Sequence, residues 1–564
     1  MVRGRTRSPP LVTLAATWRN AVLASVWDDR PKASPESMTE ARRNLVTGGI
    51  WQGWSAATIA TWDYVPQALV CLESFLAHHP GAEAHLVLAE TREAVPALER
   101  AGLRVSFAPS LGIPRFGDLA FKYSPLELST ALKPFVLDQL LAGAGVRAAV
   151  YLDSDVLVLA PFDDARQQLE RDDVLLTPHL LQPMPRDGLW PAEIDFLRCG
   201  SFNAGFVGVR KGEASGRFLP WWKERLEEHC FVDWEPGVFM DQKWMDLAHV
   251  LFPGVAPLRH RGYNVAYWNL QERGAIRADS GRWRVGATTL VLFHFSGLDR
   301  ANPEGVSRHQ NRHRLASLGQ DAASLFEEYV GRVERAESAA AGMTKRPYSF
   351  GAFSNGVRIA EAVRRLYRSL GDRRFDLGDP FDADRKGGFY DWMTAAAGRL
   401  EAPLPPIARF VYERRPEIAR LFPDPEVADR LGFLNWMLET GGPDAGLDPR
   451  CLDTTRRLAA LEEERIARVE AERARAAEDE RRRQEEERER ALAAERKRVE
   501  DGHRRQEQAA LEEMEARFSG VPHSGWKRGV AKAVGFERYR RFRKAFWVAK
   551  GILREKKAPP RSSS

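Results

Sequence analysis

The sequence predicts an α/β fold with a mostly parallel sheet, followed by an all-helical region, a long charged helix and a basic tail. Three observations carry this expectation. Apolar strand-like runs alternate with helical periodicity between residues 57 and 152, and such alternation builds a parallel sheet covered on both faces. From about residue 302 to 447 the pattern changes to helical stretches separated by Pro and Gly. Residues 453–518 are low-complexity Glu, Arg and Ala.

Residues 1–50 carry Ser8-Pro9-Pro10 and a cluster from Pro31 to Ser37, and read as a partly disordered extension with at most one short helix. Residues 57–61 read as a buried strand. Residues 65–78 place Ala68, Leu69, Leu72, Phe75 and Leu76 at helical spacing. A second strand at 85–89, a short helix at 96–101 and a third strand at 105–107 follow. A helix at 129–141 then leads into the strongly apolar strand 148–152. Ligands of open α/β sheets bind beyond the carboxyl ends of the strands, so chemistry is expected just after Leu152.

Further helices are expected at 311–336, 357–370, 388–400, 406–414 and 425–438. Phe389, Trp392, Phe410, Phe422, Phe433 and Trp436 give them apolar area to pack. The expected organisation is an α/β domain over 51–305, a helical accessory domain over 306–450, a charged helix over 451–518 and a basic amphipathic tail over 519–564. Opposite charges three and four apart support the charged helix. Between Val469 and Leu492 no apolar side chain is larger than Ala, whereas a coiled coil needs sustained a and d residues. A solvated single helix and a weak, self-associating coiled coil both stay open; either would reach about 100 Å.

The 564 residues carry 84 Lys+Arg and 78 Asp+Glu, a net +6. That average hides a split. Residues 519–564 hold 13 Lys+Arg and 2 Asp+Glu, or +11, which leaves 71 − 76 = −5 for the rest. The tail interleaves these charges with Trp526, Phe542, Phe546 and Trp547, a pattern that suits an anionic membrane surface. A helix docked on the body or merely solvated is the competing reading, and nucleic acid is the least favoured partner. The composition excludes a collagen, a disulfide scaffold and a wholly disordered chain. Cys71, Cys199, Cys230 and Cys451 show no CxxC spacing, so reduced thiols are expected. No run of about 18 apolar residues occurs, so a spanning helix is not expected. The N-terminus lacks a sustained apolar stretch, so no secretory signal is expected. The expected location is cytoplasmic, peripheral at the inner face of the membrane if the tail docks there.

Asp153-Ser154-Asp155 ends the strand that carries Leu152. Side chains two apart share a face, and where the strand bends both carboxylates can reach one cation. Burying them without one costs several kcal/mol. Hard cations such as Mg²⁺ and Mn²⁺ take oxygen ligands and keep positions open for phosphates. Asp-x-Asp alone is a weak signal, and four further pieces add weight. Residues 121–141 bring basic Lys122 and Lys133 just before the strand. Residues 201–209 read as a turn entering a strand, with Asn203 at its start. Asp241-Gln242 opens a helix. The apolar strand 291–297 is interrupted by His294, whose neutral imidazole suits a third ligand.

In this order the pieces resemble the glycogenin-like family 8 glycosyltransferases, built on the nucleotide-sugar-binding GT-A fold, over about residues 56–305. Phrases such as 264–269 and 307–310 resemble those of large bacterial glycosyltransferases. The resemblance implies a divalent ion, Mn²⁺ or Mg²⁺, held by Asp153, Asp155 and His294. It implies that Thr61 to Tyr64 line the nucleotide base, that Lys133 lies near the sugar nucleotide and that Lys122 falls near a further basic position. Ser154 and Gly297 join that nucleotide-sugar set. Asn203 would lie close to the donor sugar, with Asp241 and Gln242 beside the reacting centre. The family pattern Gly-x-x-Lys-Pro-Trp is here Gly297-Leu298-Asp299-Arg300-Ala301, so Arg300 takes the lysine's place in the nucleotide-sugar set, where it would hold the diphosphate as a fork, and the Pro-Trp is absent. The implied activity is metal-dependent transfer of a hexosyl unit from a nucleoside diphosphate sugar, a UDP-sugar by resemblance, to a glycan or lipid-linked saccharide, with retention at the anomeric carbon. The competing reading is a non-catalytic sugar-nucleotide or glycan-binding scaffold assembled through the long helix. A nucleotidyltransferase is disfavoured, since no Gly-rich basic signature lies near the first strand.

Overall fold

The strands, in chain order, are β1 (Trp54–Ala60), β2 (Glu83–Leu88), β3 (Leu103–Phe107), β4 (Ala148–Leu152), β5 (Val156–Val158), β6 (Val174–Pro178), β7 (Phe202–Arg210), β8 (Val232–Asp233), β9 (Val238–Phe239), β10 (Val255–Pro257), β11 (Ile276–Asp279), β12 (Arg282–Val285), β13 (Thr288–Thr289) and β14 (Leu292–His294). They come from a computed structural model that describes residues 49–92, 98, 101–235, 237–340, 342–395, 403–518, 538 and 541. Seven of them form the central sheet, in the order β10-β6-β7-β4-β1-β2-β3. Every neighbouring pair is parallel except the two made by β7, with β6 and with β4. The chain is thus mixed α/β with a mostly parallel sheet. A two-stranded antiparallel ladder, β14 on β5, stands outside it and matters for the site.

β1 and β4 are buried at every residue, as strands covered on both faces must be. Alternate residues feed two cores. Ala56, Val150 and Phe206 meet Leu69, Leu72 and Phe75 of the helix Val65–His78. Ile59, Tyr151 and Val207 meet Val136 and Leu137 of the helix Lys133–Ala142, and Phe218 and Trp222 of the helix Glu213–His229. The single helix expected at 129–141 is two helices, Pro125–Ala131 and Lys133–Ala142. Pro134 has no N–H to donate to the preceding turn, so a continuous helix breaks before it. The break leaves Lys133 as the first residue of the second helix. The helix expected at 96–101 falls largely outside the described residues, as do the extension 1–48 and nearly all of the basic tail.

The chain divides into two compact units, Met1–Glu462 and Glu463–Ser564. Most of the predicted helical region is helical, including Gln320–Ala339, Glu361–Ser369, Pro406–Glu413 and Arg430–Trp436. It shares the first unit with the sheet and has its own core around Phe353, Tyr367, Phe389 and Phe433. Arg364, 3% exposed, donates to the carbonyls of Ala120, Phe121 and Phe350. Arg374 reaches Asp118 at 2.8 Å and Glu228 at 2.7 Å. These contacts tie the helices to the segment just before Lys133. The long helix runs unbroken over Asp453–Phe518, and every side chain from 471 to 510 is exposed. Among the described residues no helix is long and apolar enough to cross a membrane. All four cysteines are unpaired.

Candidate active site

The ladder that builds β4 continues past its last residue: Asp153 N–H donates to Gly205 O at 2.9 Å. A turn follows, closed by Val156 N–H to Asp153 O at 3.2 Å. Ser154 occupies its tip, half-buried. β5 then pairs with β14 in a register that sets His294 opposite Val156, and Phe295 N–H donates to Asp155 O at 2.9 Å. Backbone register alone therefore delivers the histidine to the aspartates across 139 residues of sequence (294 − 155).

The side chains converge accordingly. Ligand atoms of Asp153, Asp155 and His294 all lie within 4.8 Å of one another. His294 Nε2 is 2.9 Å from Asp155 Oδ1 and 3.9 Å from Asp153 Oδ2. Bonds of about 2.1 Å to an octahedral ion place cis donors about 3 Å apart and trans donors about 4 Å apart. Two carboxylates and one imidazole brought this close are a donor set that suits a divalent cation. The two aspartate side chains keep 27% and 24% of their surface exposed, so the cluster is open on one side.

The second nitrogen of His294 is also fixed. Nδ1 lies 3.1 Å from Asn264 Oδ1 and donates to it, which directs the other ring nitrogen at the aspartates. Asn264 is 1% exposed and holds a left-handed backbone, φ 50°, a conformation Asn tolerates better than most residues. Its amide donates to Thr177 Oγ1 at 2.8 Å and to Asn203 Oδ1 at 2.9 Å. Asn203 Oδ1 also accepts from Gly205 N at 2.9 Å, and its amide faces Gln242 Oε1 at 3.5 Å. Gln242 in turn donates to Cys199 O at 3.0 Å. The predicted residues Asn203 and Gln242 are thus joined to His294 through Asn264, which the sequence did not single out by role.

Lys133 is buried beneath the cluster, 2% exposed. Its ammonium reaches Asp241 Oδ2 at 2.8 Å, Asp153 Oδ1 at 3.2 Å and Ala204 O at 3.1 Å, using all three protons on the protein itself. Burial opposes its charge, but Asp153 and Asp241 outweigh it and raise the pKa. Burial raises the pKa of Asp241 despite the ammonium beside it. For Asp155 burial pushes up, His294 outweighs it, and the net is a lowered pKa. For His294 burial pushes down, and Asp155 and then Asp153 reverse it, so its pKa is raised. Met240, just before Asp241, is another non-glycine residue at positive φ, 43°. Strain of this kind persists where the surroundings over-determine it.

Other predicted residues sit differently. Lys122 is buried, but its ammonium is shared among Asp118, Glu228 and the carbonyl of Glu227, none of them in the cluster. Arg300 grips Glu337 through both terminal nitrogens, at 3.0 and 2.5 Å. Thr61 follows the last residue of β1, and its carbonyl accepts from Tyr64 N–H at 3.0 Å. Tyr64 lines a cavity of about 120 Å³ beside Asp155, whose walls include Gly297, Arg300, Arg308 and Tyr329. A more open recess of about 290 Å³, with Ser201, Asp246, His249 and Arg259 on its walls, lies at the carboxyl ends of β6 and β10.

Gly205 carried a legible signal that went unused, since a glycine inside a strand marks a close approach. A Cβ there would meet Asn203 Oδ1 at 2.7 Å and His294 Cε1 and Nδ1 at 2.7 and 2.8 Å. Gly205→Ala is therefore expected to displace His294 and weaken Mn²⁺ binding about 10- to 100-fold, read by Mn²⁺ titration. Unchanged affinity would remove the Asn203–Asn264–His294 network from the site.

No protein-family model matches the chain. Two proteins of Bacillus subtilis (strain 168), the uncharacterised YfnF and YfnD, are 27% identical over 181 residues and 32% identical over 102 residues. These matches cover 30% and 18% of this chain. The chain spans 56% and 32% of the length of these two curated relatives. Among solved structures, the galactosyltransferase LgtC in complex with donor and acceptor sugar analogues is 17% identical, with 52% of this chain and 97% of that chain covered and a TM-score of 0.29. At that score the likeness assigns neither fold nor activity.

Proposed function

We propose that the chain is a divalent-metal-dependent glycosyltransferase that moves a hexosyl unit from a nucleoside diphosphate sugar, a UDP-sugar by its sequence resemblance, to a saccharide acceptor. The observation that carries this reading is the convergence of Asp153, Asp155 and a tautomer-fixed His294 at the carboxyl edge of a mostly parallel sheet, beside an open cavity. Asp153, Asp155 and His294 would hold Mn²⁺ or Mg²⁺; when bound, the ion offsets negative charge on a departing diphosphate.

The protein's own groups hold the surroundings in place. Lys133 bridges Asp153 and Asp241 through its ammonium and fixes their orientation. Asn203, bonded to Gly205 and Asn264, presents its amide toward Gln242, and in this reading that edge faces the donor sugar. A rigid polar frame of this kind needs no reorganisation as charge develops, which is where most electrostatic catalysis arises. Retention at the anomeric carbon, a glycan or lipid-linked acceptor and docking of residues 519–564 on an anionic bilayer belong to the same proposal.

The test is a donor screen. Purified protein with Mn²⁺ and a panel of nucleoside diphosphate hexoses is expected to release nucleoside diphosphate from one donor, and chelation by EDTA is expected to stop it. Tight Mn²⁺-dependent binding of a nucleoside diphosphate with no turnover of any donor would instead support the non-catalytic scaffold.

A further inference from the structure

We propose that Arg308 and Tyr329, both beyond the α/β pattern, form the oxyanion subsite beside Asp155, and that Arg300 does not. This deepens the nucleoside diphosphate reading above and rests on it for the identity of the ligand. The subsite would take the phosphate oxygens of that ligand.

Arg300 and Arg308 both line the cavity next to Asp155, yet only one has a guanidinium to offer. Arg300 spends both terminal nitrogens on the two oxygens of Glu337, which fills its fork. Arg308 has an exposed side chain. Among the described residues its guanidinium makes one contact, Nε to His309 Nε2 at 3.4 Å, and no carboxylate pairs with it. A planar guanidinium with free terminal nitrogens is suited to two phosphate oxygens at once.

The backbone holds Arg308 where it is. Its N–H donates to Gly297 O at 2.9 Å. Gly297 has φ 69°, and a Cβ on it would lie 2.7 Å from Ser307 Oγ and 2.3 Å from His309 Cδ2. Residues 307–309 are therefore pressed against the glycine that follows the His294 strand, which anchors the backbone of Arg308 at the cavity it lines.

Tyr329 supplies the independent observation. It lines the same cavity and is 3% exposed, and its hydroxyl has no hydrogen-bond partner among the described residues. Its ring is fixed by a parallel stack on Phe295, with centroids 3.8 Å apart and planes 1° from parallel. Buried hydroxyls are nearly always bonded, and this one is left without an acceptor in a residue that lines the cavity beside Asp155. Asp155 shares that wall, so an anion is favoured there only with a cation between the two. A phosphate held by Arg308 and Tyr329 on one side and by an ion on Asp153, Asp155 and His294 on the other meets that condition.

Calorimetric titration of the full-length protein tests this with two probes, UDP with Mn²⁺ and inorganic pyrophosphate with Mn²⁺. Arg308→Gln is expected to weaken both about tenfold or more while Mn²⁺ alone binds as in the wild type. Arg308→Lys should recover part of the loss. Tyr329→Phe keeps the ring stack and should weaken both probes about threefold or more, and Arg300→Gln should stay within about twofold. Equal binding by Arg308→Gln and the wild type, or a loss in Arg300→Gln that Arg308→Gln does not share, overturns the subsite and leaves the nucleotide reading standing. A wild type that binds pyrophosphate but no nucleoside diphosphate of any base overturns the nucleotide reading, and the subsite is then judged on pyrophosphate. A wild type that binds neither overturns both.

Discussion

Replacing Asp155 with Asn is expected to abolish Mn²⁺ binding in the micromolar range and, with it, any donor turnover. Asp155 carries the oxygen closest to His294 Nε2, at 2.9 Å. The change keeps the shape of the side chain but removes one of the two charges that hard cations seek. It also leaves the imidazole facing an amide, whose NH₂ group competes for the lone pair that an ion would take. Wild-type protein should melt a few degrees higher in saturating Mn²⁺, because a ligand at about 100 times its Kd adds about 2.7 kcal/mol. Asp155→Asn should melt at one temperature with or without the ion. A variant that still gains stability from Mn²⁺ would place the ion elsewhere.

The second large effect is on folding. Lys133→Met should lower the stability of the first unit by about 3–5 kcal/mol, the usual cost of stripping one partner from a buried ion pair. Asp241 is 2% exposed and has the Lys133 ammonium 2.8 Å away; without it the carboxylate is buried with no cation beside it. Asp241→Asn in the same background should recover most of the loss, since the charge that needed a partner is gone. Denaturant midpoints of the wild type, both single variants and the double variant measure the coupling. Additive effects would mean that the lysine does not act through Asp241. A lysine with all its protons committed to the protein acts as a positioning residue for Asp153 and Asp241.

How much of this was legible follows from the range of each signal. β4 and its two aspartates were legible because an apolar run that ends in Asp-Ser-Asp is contiguous. The unbroken helix Asp453–Phe518 was legible from composition alone. His294 could be proposed from sequence only as an odd polar residue in an apolar strand; the β14–β5 register is what makes it a neighbour of Asp155. Asn264 escaped because its role depends on a backbone angle and three partners, none adjacent in sequence. Lys122 and Lys133 look alike in sequence, eleven residues apart. Only packing sends one to Asp118 and Glu228 and the other to Asp153 and Asp241. Arg308 and Tyr329 lie past the point where the strand–helix alternation stops; the resemblance at 307–310 covers Arg308 without giving it a role, and nothing local marks Tyr329.

The β14–β5 ladder sets an order of events during synthesis. A chain is made from its amino-terminal end. The last strand of the seven-stranded sheet ends at Pro257, so every strand of that sheet and both aspartates have been made while His294 is still to come. Tyr329 comes later still. In the proposed reading a nascent chain therefore carries two of the three ion ligands before it carries the third. In that reading a complete site for charged ligands waits until Arg308 and Tyr329 have been made as well.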